Sequence, residues 1–202
     1  MIFGGFMIVD FAKSNTRLNL MKAFAGESQA RERYTIAASF ASKQKMQVVS
    51  KLFLEIADQE KEHGEIFYEF LKPFSGENIA FSADYPVDVF DSVLEYLKKA
   101  SQNELDEFDN VYANFGRIAA EEGFSDIAQK FLGIAKIEKT HCEKFKNMAN
   151  LIENDELFRS KSGRGKWVCM KCGNVYEGTQ VPDKCPVCGH DRGFFVKSTI
   201  CF

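Results

Sequence analysis

Apolar residues recur at alternating spacings of three and four along four long segments, roughly 15–43, 46–72, 88–122 and 124–153, which is the pattern of helices that each bury one face. The breaks between them are equally legible. Ser14 or Asn15 suits the N-cap of the first segment, Pro73 and Gly76 stop the second, Pro86 precedes the third, and Gly123 separates the third from the fourth. From Pro73 to Val87 no period survives, so this stretch reads as a long crossover joining two helical hairpins. The expectation is a mainly α protein, a four-helix bundle over 15–159 behind an N-terminal extension (1–14) with no assigned role. Ser160 to Gly165 then reads as a flexible polar linker. The 37 residues from Lys166 to Phe202 are too few to hold a core without a staple.

Polar residues interrupt the apolar seams at defined places. In the second segment Val49, Leu52 and Ile56 lead to Glu60 and His63 before Phe67 and Phe70; in the fourth, Ile127, Phe131 and Ile134 lead to Glu138 and His141 before Phe145 and Met148. Likewise Val93, Leu97 and Ala100 lead to Glu104 and Glu107, and Leu20 and Phe24 lead to Glu27. Seven ionisable groups thus occupy positions that packing reserves for apolar side chains. An isolated buried carboxylate costs several kcal/mol, and five together repel one another unless they are protonated or matched by cations, of which two metal ions are the simplest. Residues at i and i+3 share a helix face, so each Glu-x-x-His offers an oxygen and a nitrogen to one pocket. One Glu from each of two helices and a Glu-x-x-His from each of the other two is the donor set of ferritin-like di-iron and di-manganese bundles. The spacings agree: Glu27 to Glu60 is 33 residues and Glu104 to Glu138 is 34, as two similar hairpins require.

Composition narrows the class. With 45% hydrophobic residues and a formal net charge of −3, basic and acidic residues interspersed, the chain carries neither a nucleic-acid footprint nor a polybasic membrane patch. The apolar opening, Met1 to Phe11, lacks the charged start and cleavage pattern of a signal peptide, and Met7 could itself start the chain; a cytoplasmic protein is expected. Of six cysteines, Cys169, Cys172, Cys185 and Cys188 form two CxxC pairs, while Cys142 reads as a small filler and Cys201 carries no readable role. In a chain without an export signal such pairs read as a metal site, and four sulfurs in a tetrahedron suit zinc or a single iron. They are the staple that the tail needs, and Trp167, Tyr176, Phe194 and Phe195 are available for its small core. His190, after the last pair, reads as exposed.

From about Arg17 onward the chain resembles the rubrerythrin family. The resemblance rests on Ala-Phe-Ala-Gly-Glu27-Ser-Gln-Ala-Arg, Ala-Asp-Gln-Glu60-Lys-Glu-His63, Glu104-Leu-Asp-Glu107, Arg-Ile-Ala-Ala-Glu-Glu-Gly, Ile-Glu138-Lys-Thr-His141 and the two CxxC knuckles. It implies a ferritin-like bundle followed by a β-rich, rubredoxin-like module (166–202) whose four cysteines hold one iron. It further implies that Glu60 and Glu138 bridge two irons, that Glu27 and Glu104 are terminal ligands, and that His141 binds one iron. Glu107 would ligate in the oxidised state and His63 replace it on reduction, with Tyr34 and Tyr112 nearby. The implied activity is a peroxidase that reduces hydrogen peroxide in oxidative-stress defence. No nucleotide fingerprint is present, so electrons are expected from a separate reductase or rubredoxin through the cysteine-bound iron. The resemblance suggests a head-to-tail homodimer too, and geometry makes it plausible, since about 12 residues, or roughly 18 Å of helix, follow His141 before the tail begins. Two rivals share these features in part: a ferroxidase, iron-storage or oxygen-reducing protein, and a metal-sensing bundle with a zinc ribbon.

Overall fold

The computed structural model describes residues 9–200; the expectations for residues 1–8, the alternative start at Met7 among them, and for Cys201 lie outside the described residues. Its helices are α1 (Asn15–Lys43), α2 (Gln47–Glu69), α3 (Val93–Asp106), α4 (Ala113–Glu121) and α5 (Ser125–Glu153). The third expected segment is therefore α3 and α4 together, joined by one π-helical turn over Glu107–Tyr112. Among the described residues no helix is long and apolar enough to cross a membrane.

Helix boundaries follow from local hydrogen bonding. At the start of α1, Ser14 Oγ accepts from the Arg17 N–H at 3.0 Å, and the carboxylate of Glu122 accepts from the N–H groups of Asn15 (2.9 Å) and Thr16 (2.8 Å). Three donors that a helix start leaves unsatisfied thus find acceptors. The third segment begins at Val93 rather than at 88, and the cause is Ser92: its Oγ accepts from the Glu95 N–H and donates to the Glu95 carboxylate at 2.7 Å, a variant of the capping box. Asp88 is held instead in an ion pair with Arg33. Gly123 ends α4 at φ 91°, a left-handed conformation that lets the Phe124 N–H reach the Ala119 carbonyl at 2.8 Å.

The chain divides into two compact units. One takes the residues up to Arg31, Asp58–Val87 and Gln102–Cys142, and contains every Glu and His of the expected bundle site. Leu20, Phe67, Leu71, Tyr112 and Phe131 are buried in its core, with the Phe67 and Phe131 rings stacked 4.9 Å apart. Burial of such rings, about 1.5–3 kcal/mol each, is what holds polar side chains in a dry seam.

The other unit takes Glu32–Ala57, Asp88–Ser101 and everything from Glu143 on. Tyr34, Phe53 and Phe145 form an aromatic trio in it, with centroids 5.0 to 5.9 Å apart. Its tail is a three-stranded antiparallel sheet in the order β2-β1-β3, built from β1 (Gly165–Cys169), β2 (Val175–Gly178) and β3 (Phe195–Lys197). Trp167 is fully buried beneath it, and its Nε1–H donates to the Leu157 carbonyl at 3.1 Å. Before β1, the Ser160 N–H donates to the Thr179 carbonyl, and Gly163 takes φ 110°. A Cβ added at Gly193 would lie 2.0 Å from the Lys45 carbonyl oxygen, so glycine is required where the tail seats on the turn between α1 and α2.

Candidate metal centres

Four helices converge on one buried cluster: Glu27 from α1, Glu60 and His63 from α2, Glu104 from α3, Glu138 and His141 from α5. None of the six is more than 4% exposed. Their donor atoms form two quartets, Glu27–Glu60–His63–Glu138 and Glu60–Glu104–Glu138–His141, and within each every donor lies within 4.8 Å of the others. Glu60 and Glu138 belong to both. Glu60 turns Oε2 to His63 Nδ1 (3.1 Å) and Oε1 to His141 Nδ1 (3.1 Å). Glu138 does the same in reverse, with Oε1 3.0 Å from His63 and Oε2 2.8 Å from His141. Two carboxylates therefore span two adjacent points, and each point has its own imidazole and its own further carboxylate, Glu27 at one and Glu104 at the other.

Whether metal ions suit these points is answered by the donors themselves. Glu27 Oε2, Glu60 Oε1, both oxygens of Glu138 and His141 Nδ1 are buried and make no hydrogen bond of acceptable geometry, although they crowd together. Buried polar atoms left in that condition cost about 1–3 kcal/mol each unless something else coordinates them. Protons partly take the place of cations. Burial drives the Glu27 carboxyl well above its usual range, helped by repulsion from Glu60 and Glu138, and Glu104 rises to about 8 by burial and by the charge of Glu60. Burial would also raise Glu60, but the two imidazoles outweigh it and bring it down to about 2. Burial lowers the affinity of His63 and His141 for a proton, yet the surrounding carboxylates raise them to about 9 and about 12. Raised proton affinity at Glu27, Glu104, His63 and His141 marks a cluster that draws in positive charge, which a pair of divalent ions can supply through oxygen and imidazole donors.

Glu107 stands apart from both quartets. It opens the π-helical turn and is only half-buried. Its charge nonetheless reaches the cluster, adding to the raised proton affinity of Glu27 and of Tyr112. Tyr112, at the far end of that turn, donates its hydroxyl to Glu27 Oε1 at 2.6 Å and keeps its proton well above the usual range, first through burial and then through Glu27. Tyr34 is buried against Phe53 and Phe145.

One residue of the site went unnoticed in the sequence. Gln59, beside Glu60, faces His141 with Oε1 2.8 Å from Nε2. An amide oxygen there requires the hydrogen on Nε2 and leaves Nδ1 for the cluster. Nothing in the sequence singles Gln59 out except its place next to a seam glutamate.

The tail holds a second donor set. Cys169 and Cys188 have their sulfurs 3.8 Å apart, Cys172 and Cys185 theirs 3.7 Å apart, and all four lie within 4.8 Å of one another. Four sulfurs at metal-bond length from a tetrahedral centre stand about 3.8 Å apart, which both of these separations match, so the cage suits one ion. Two like knuckles form it. Gly173 and Gly189 adopt φ 75° and 74°, and their N–H groups reach the carbonyls of Cys169 and Cys185. The Asn174 N–H favours the Cys172 thiolate, yet burial and the neighbouring sulfurs push this thiol up to about 12. Burial opposes ionisation of Cys185 as well, but the N–H groups of Cys188 and Val187 prevail and bring it down to about 6. Among the described cysteines none forms a disulfide; Cys142 is buried, and His190 is exposed with its ring edge against Phe194.

Comparison with known proteins agrees with both centres. The profile of the family described as Rubrerythrin matches residues 19–156, and that described as Rubrerythrin, rubredoxin-like domain, matches 167–196. A rubrerythrin of Clostridium perfringens is 43% identical over 183 residues, covering 90% of this chain and 93% of its own. One of Porphyromonas gingivalis is 37% identical over 90% of this chain and 89% of its own. Among solved structures, nigerythrin in its fully reduced, all-ferrous state superposes with a TM-score of 0.62 at 25% identity, covering 98% of this chain and 91% of the other. A bacterioferritin of Desulfovibrio desulfuricans shares the bundle fold, with a TM-score of 0.64 at 22% identity over 70% of this chain and 82% of its own.

Proposed function

Because this chain belongs to the rubrerythrin family, with a ferritin-like di-iron site and a rubredoxin-like four-cysteine site, we propose that it reduces hydrogen peroxide to water in oxidative-stress defence. The observation that carries the reading is the opposed pair Glu60 and Glu138, each presenting one oxygen beside His63 and the other beside His141. When bound, an iron pair supplies two electrons together to the O–O bond and stabilises the oxide products. The residues do the rest. Glu60 and Glu138 hold two positions side by side, Glu27 and Glu104 complete one each, and His141 supplies a nitrogen whose direction Gln59 fixes.

Reduction of peroxide to two waters consumes two protons and two electrons. Glu107, half-buried at the edge of the cluster, would pass protons to the site, and His63 and Glu107 would be alternative ligands to the iron, as the resemblance implies. Tyr112 holds Glu27 by a short hydrogen bond to Oε1. The ferroxidase rival lacks both a counterpart of Glu107 and the cysteine tail.

Electrons come from an external reductase or rubredoxin, in the cytoplasm, through an iron held by Cys169, Cys172, Cys185 and Cys188, giving three irons per chain. We further infer a head-to-tail homodimer in which the tail of one chain serves the bundle of the other. Replacing Cys172 with Ser tests the relay. Reductase-driven turnover should stop, while chemically reduced protein still consumes one equivalent of peroxide. Unchanged steady-state turnover would make the tail structural.

A further inference from the structure

Charge is unevenly divided along this chain. From Ser160 to the C-terminus seven Lys and Arg stand against three Asp and Glu, a formal +4; since the whole chain sums to −3, residues 1–159 carry −7. Glu27, Glu60, Glu104, Glu107 and Glu138 account for five of those negative charges, which leaves a formal −2 outside the cluster and its edge. The excess positive charge of the tail therefore has no comparable acidic counterpart elsewhere in the chain. Within the tail the three carboxylates are already engaged. Glu177 meets Lys166 at 3.7 Å, Asp183 meets Arg192 at 3.9 Å, and Asp191 accepts the Gly193 N–H at 2.9 Å. Lys171 and Lys184 are exposed and make no ion pair among the described residues.

Both lysines border the cysteine cage. Lys171 directly precedes Cys172, Lys184 directly precedes Cys185, and those two sulfurs are 3.7 Å apart. Phe194 ties this edge together: Lys171 Nζ lies 5.4 Å from its ring centroid and the His190 ring 5.1 Å from it, while the His190 carbonyl accepts the Cys185 N–H at 2.7 Å. The cage is also open here. The first cysteine of each knuckle is buried, whereas Cys172 is exposed and Cys188 half-buried, and beside Cys188 the Val187 side chain leaves 69% of its surface uncovered. An exposed apolar side chain among unmatched cations has the make-up of a transient interface, in which the apolar part gives close contact and the basic rim steers an acidic partner.

We propose that the knuckle face formed by Lys171, Cys172, Lys184, Val187 and His190 is the docking surface for a small, acidic one-electron donor protein. This rests on the relay reading for iron in the cage, and on charge and exposure for the partner. One electron passes from the donor to the iron, which goes from ferric to ferrous as the donor is oxidised by one electron. No bond is made or broken.

The test uses two reductants, a flavodoxin of net negative charge and the methyl viologen radical cation. Each is mixed in stopped flow with iron-loaded full-length protein, and reduction of the ferric tail is followed over a range of salt concentrations. The forms compared are the parent, the double variant Lys171→Gln with Lys184→Gln, and Lys136→Gln, which removes a charge from an exposed position on α5. The parent's second-order rate with flavodoxin should fall as salt rises. The double variant should be about tenfold slower at low salt and no different at high salt. Viologen should reduce the double variant at least as fast as the parent, a result that damage to the cage would not give, and Lys136→Gln should match the parent throughout. Protein with zinc in the cage gives a readout free of electron transfer: flavodoxin binding, followed by amide chemical shifts, should weaken by a similar factor in the double variant. Equal flavodoxin rates and binding in parent and double variant overturn the proposal. So does dissociation of a dimer in the double variant at an unchanged flavodoxin rate, which assigns the face to a second copy of the chain. If natively purified protein holds no iron in its tail, the relay reading fails, and binding to the zinc form then decides the docking face by itself.

Discussion

The side-chain amide of Gln59 holds His141 by its outer nitrogen: Oε1 stands 2.8 Å from Nε2, while Nδ1 of the same ring faces Glu138 at 2.8 Å and Glu60 at 3.1 Å. One polar contact at the edge of the cluster thereby sets which nitrogen serves it. Groups that orient a metal-binding imidazole contribute about 10–100-fold to affinity. Gln59→Leu should weaken cobalt(II) binding to the bundle by about that factor, whereas Gln59→Glu, which keeps an acceptor, should retain it. Titration followed in the visible cobalt bands distinguishes the two.

That contact also marks where sequence reading ran out. Gln59 acts on a residue 82 positions away, and glutamine on a helix is an ordinary surface residue, so only the fold reveals the pairing. The bundle was more legible. The period and the Ser14 cap agree on a helix from Asn15 to Lys43, because packing and end chemistry point the same way. Over the third segment they disagree. Apolar residues at 87, 89 and 90 extend the pattern toward 88, but the reciprocal Ser92 and Glu95 contacts set the start at Val93. The π-helical turn at Glu107–Tyr112 was invisible for a physical reason: one extra residue per turn hides within a pattern that already alternates threes and fours. That turn carries both Glu107 and Tyr112, so the irregular part of the bundle lies at the edge of the donor cluster.

Glu107 gives the next expectation. It lies outside both donor quartets, so Glu107→Ala should leave two irons in the bundle while slowing peroxide turnover, because the exchange with His63 is lost. Glu60, shared by both quartets, should behave differently, and Glu60→Ala should lose metal from both positions. Iron quantitation beside steady-state rates checks both; full activity in Glu107→Ala would remove its proposed role.

Acid stability should depend on Glu122. Burial opposes its ionisation slightly, but hydrogen bonds from the Thr16 hydroxyl and the Asn15 and Thr16 N–H groups outweigh this and hold its carboxyl below the usual range. A carboxyl depressed in the folded state stabilises above its unfolded value, near about 4.3, and that contribution is lost as pH falls through the folded value. Glu122→Ala should therefore cost about 1 kcal/mol at pH 7, toward the lower end of capping effects because the group is partly exposed. The difference should shrink at acidic pH, as the carboxyl takes up its proton in the folded state. Urea unfolding of metal-free protein at neutral and acidic pH reads it directly.

The proposed reduction of peroxide rests on the buried cluster of Glu27, Glu60, His63, Glu104, Glu138 and His141, with Glu107 at its edge. Stopped-flow mixing of fully reduced, iron-loaded protein with hydrogen peroxide, and separately with dioxygen at the same concentration, tests it most directly. Peroxide should oxidise the bundle far faster, with one equivalent consumed per di-iron site. Oxidation by dioxygen as fast or faster, with hydrogen peroxide released as a product, would contradict it and favour a ferroxidase.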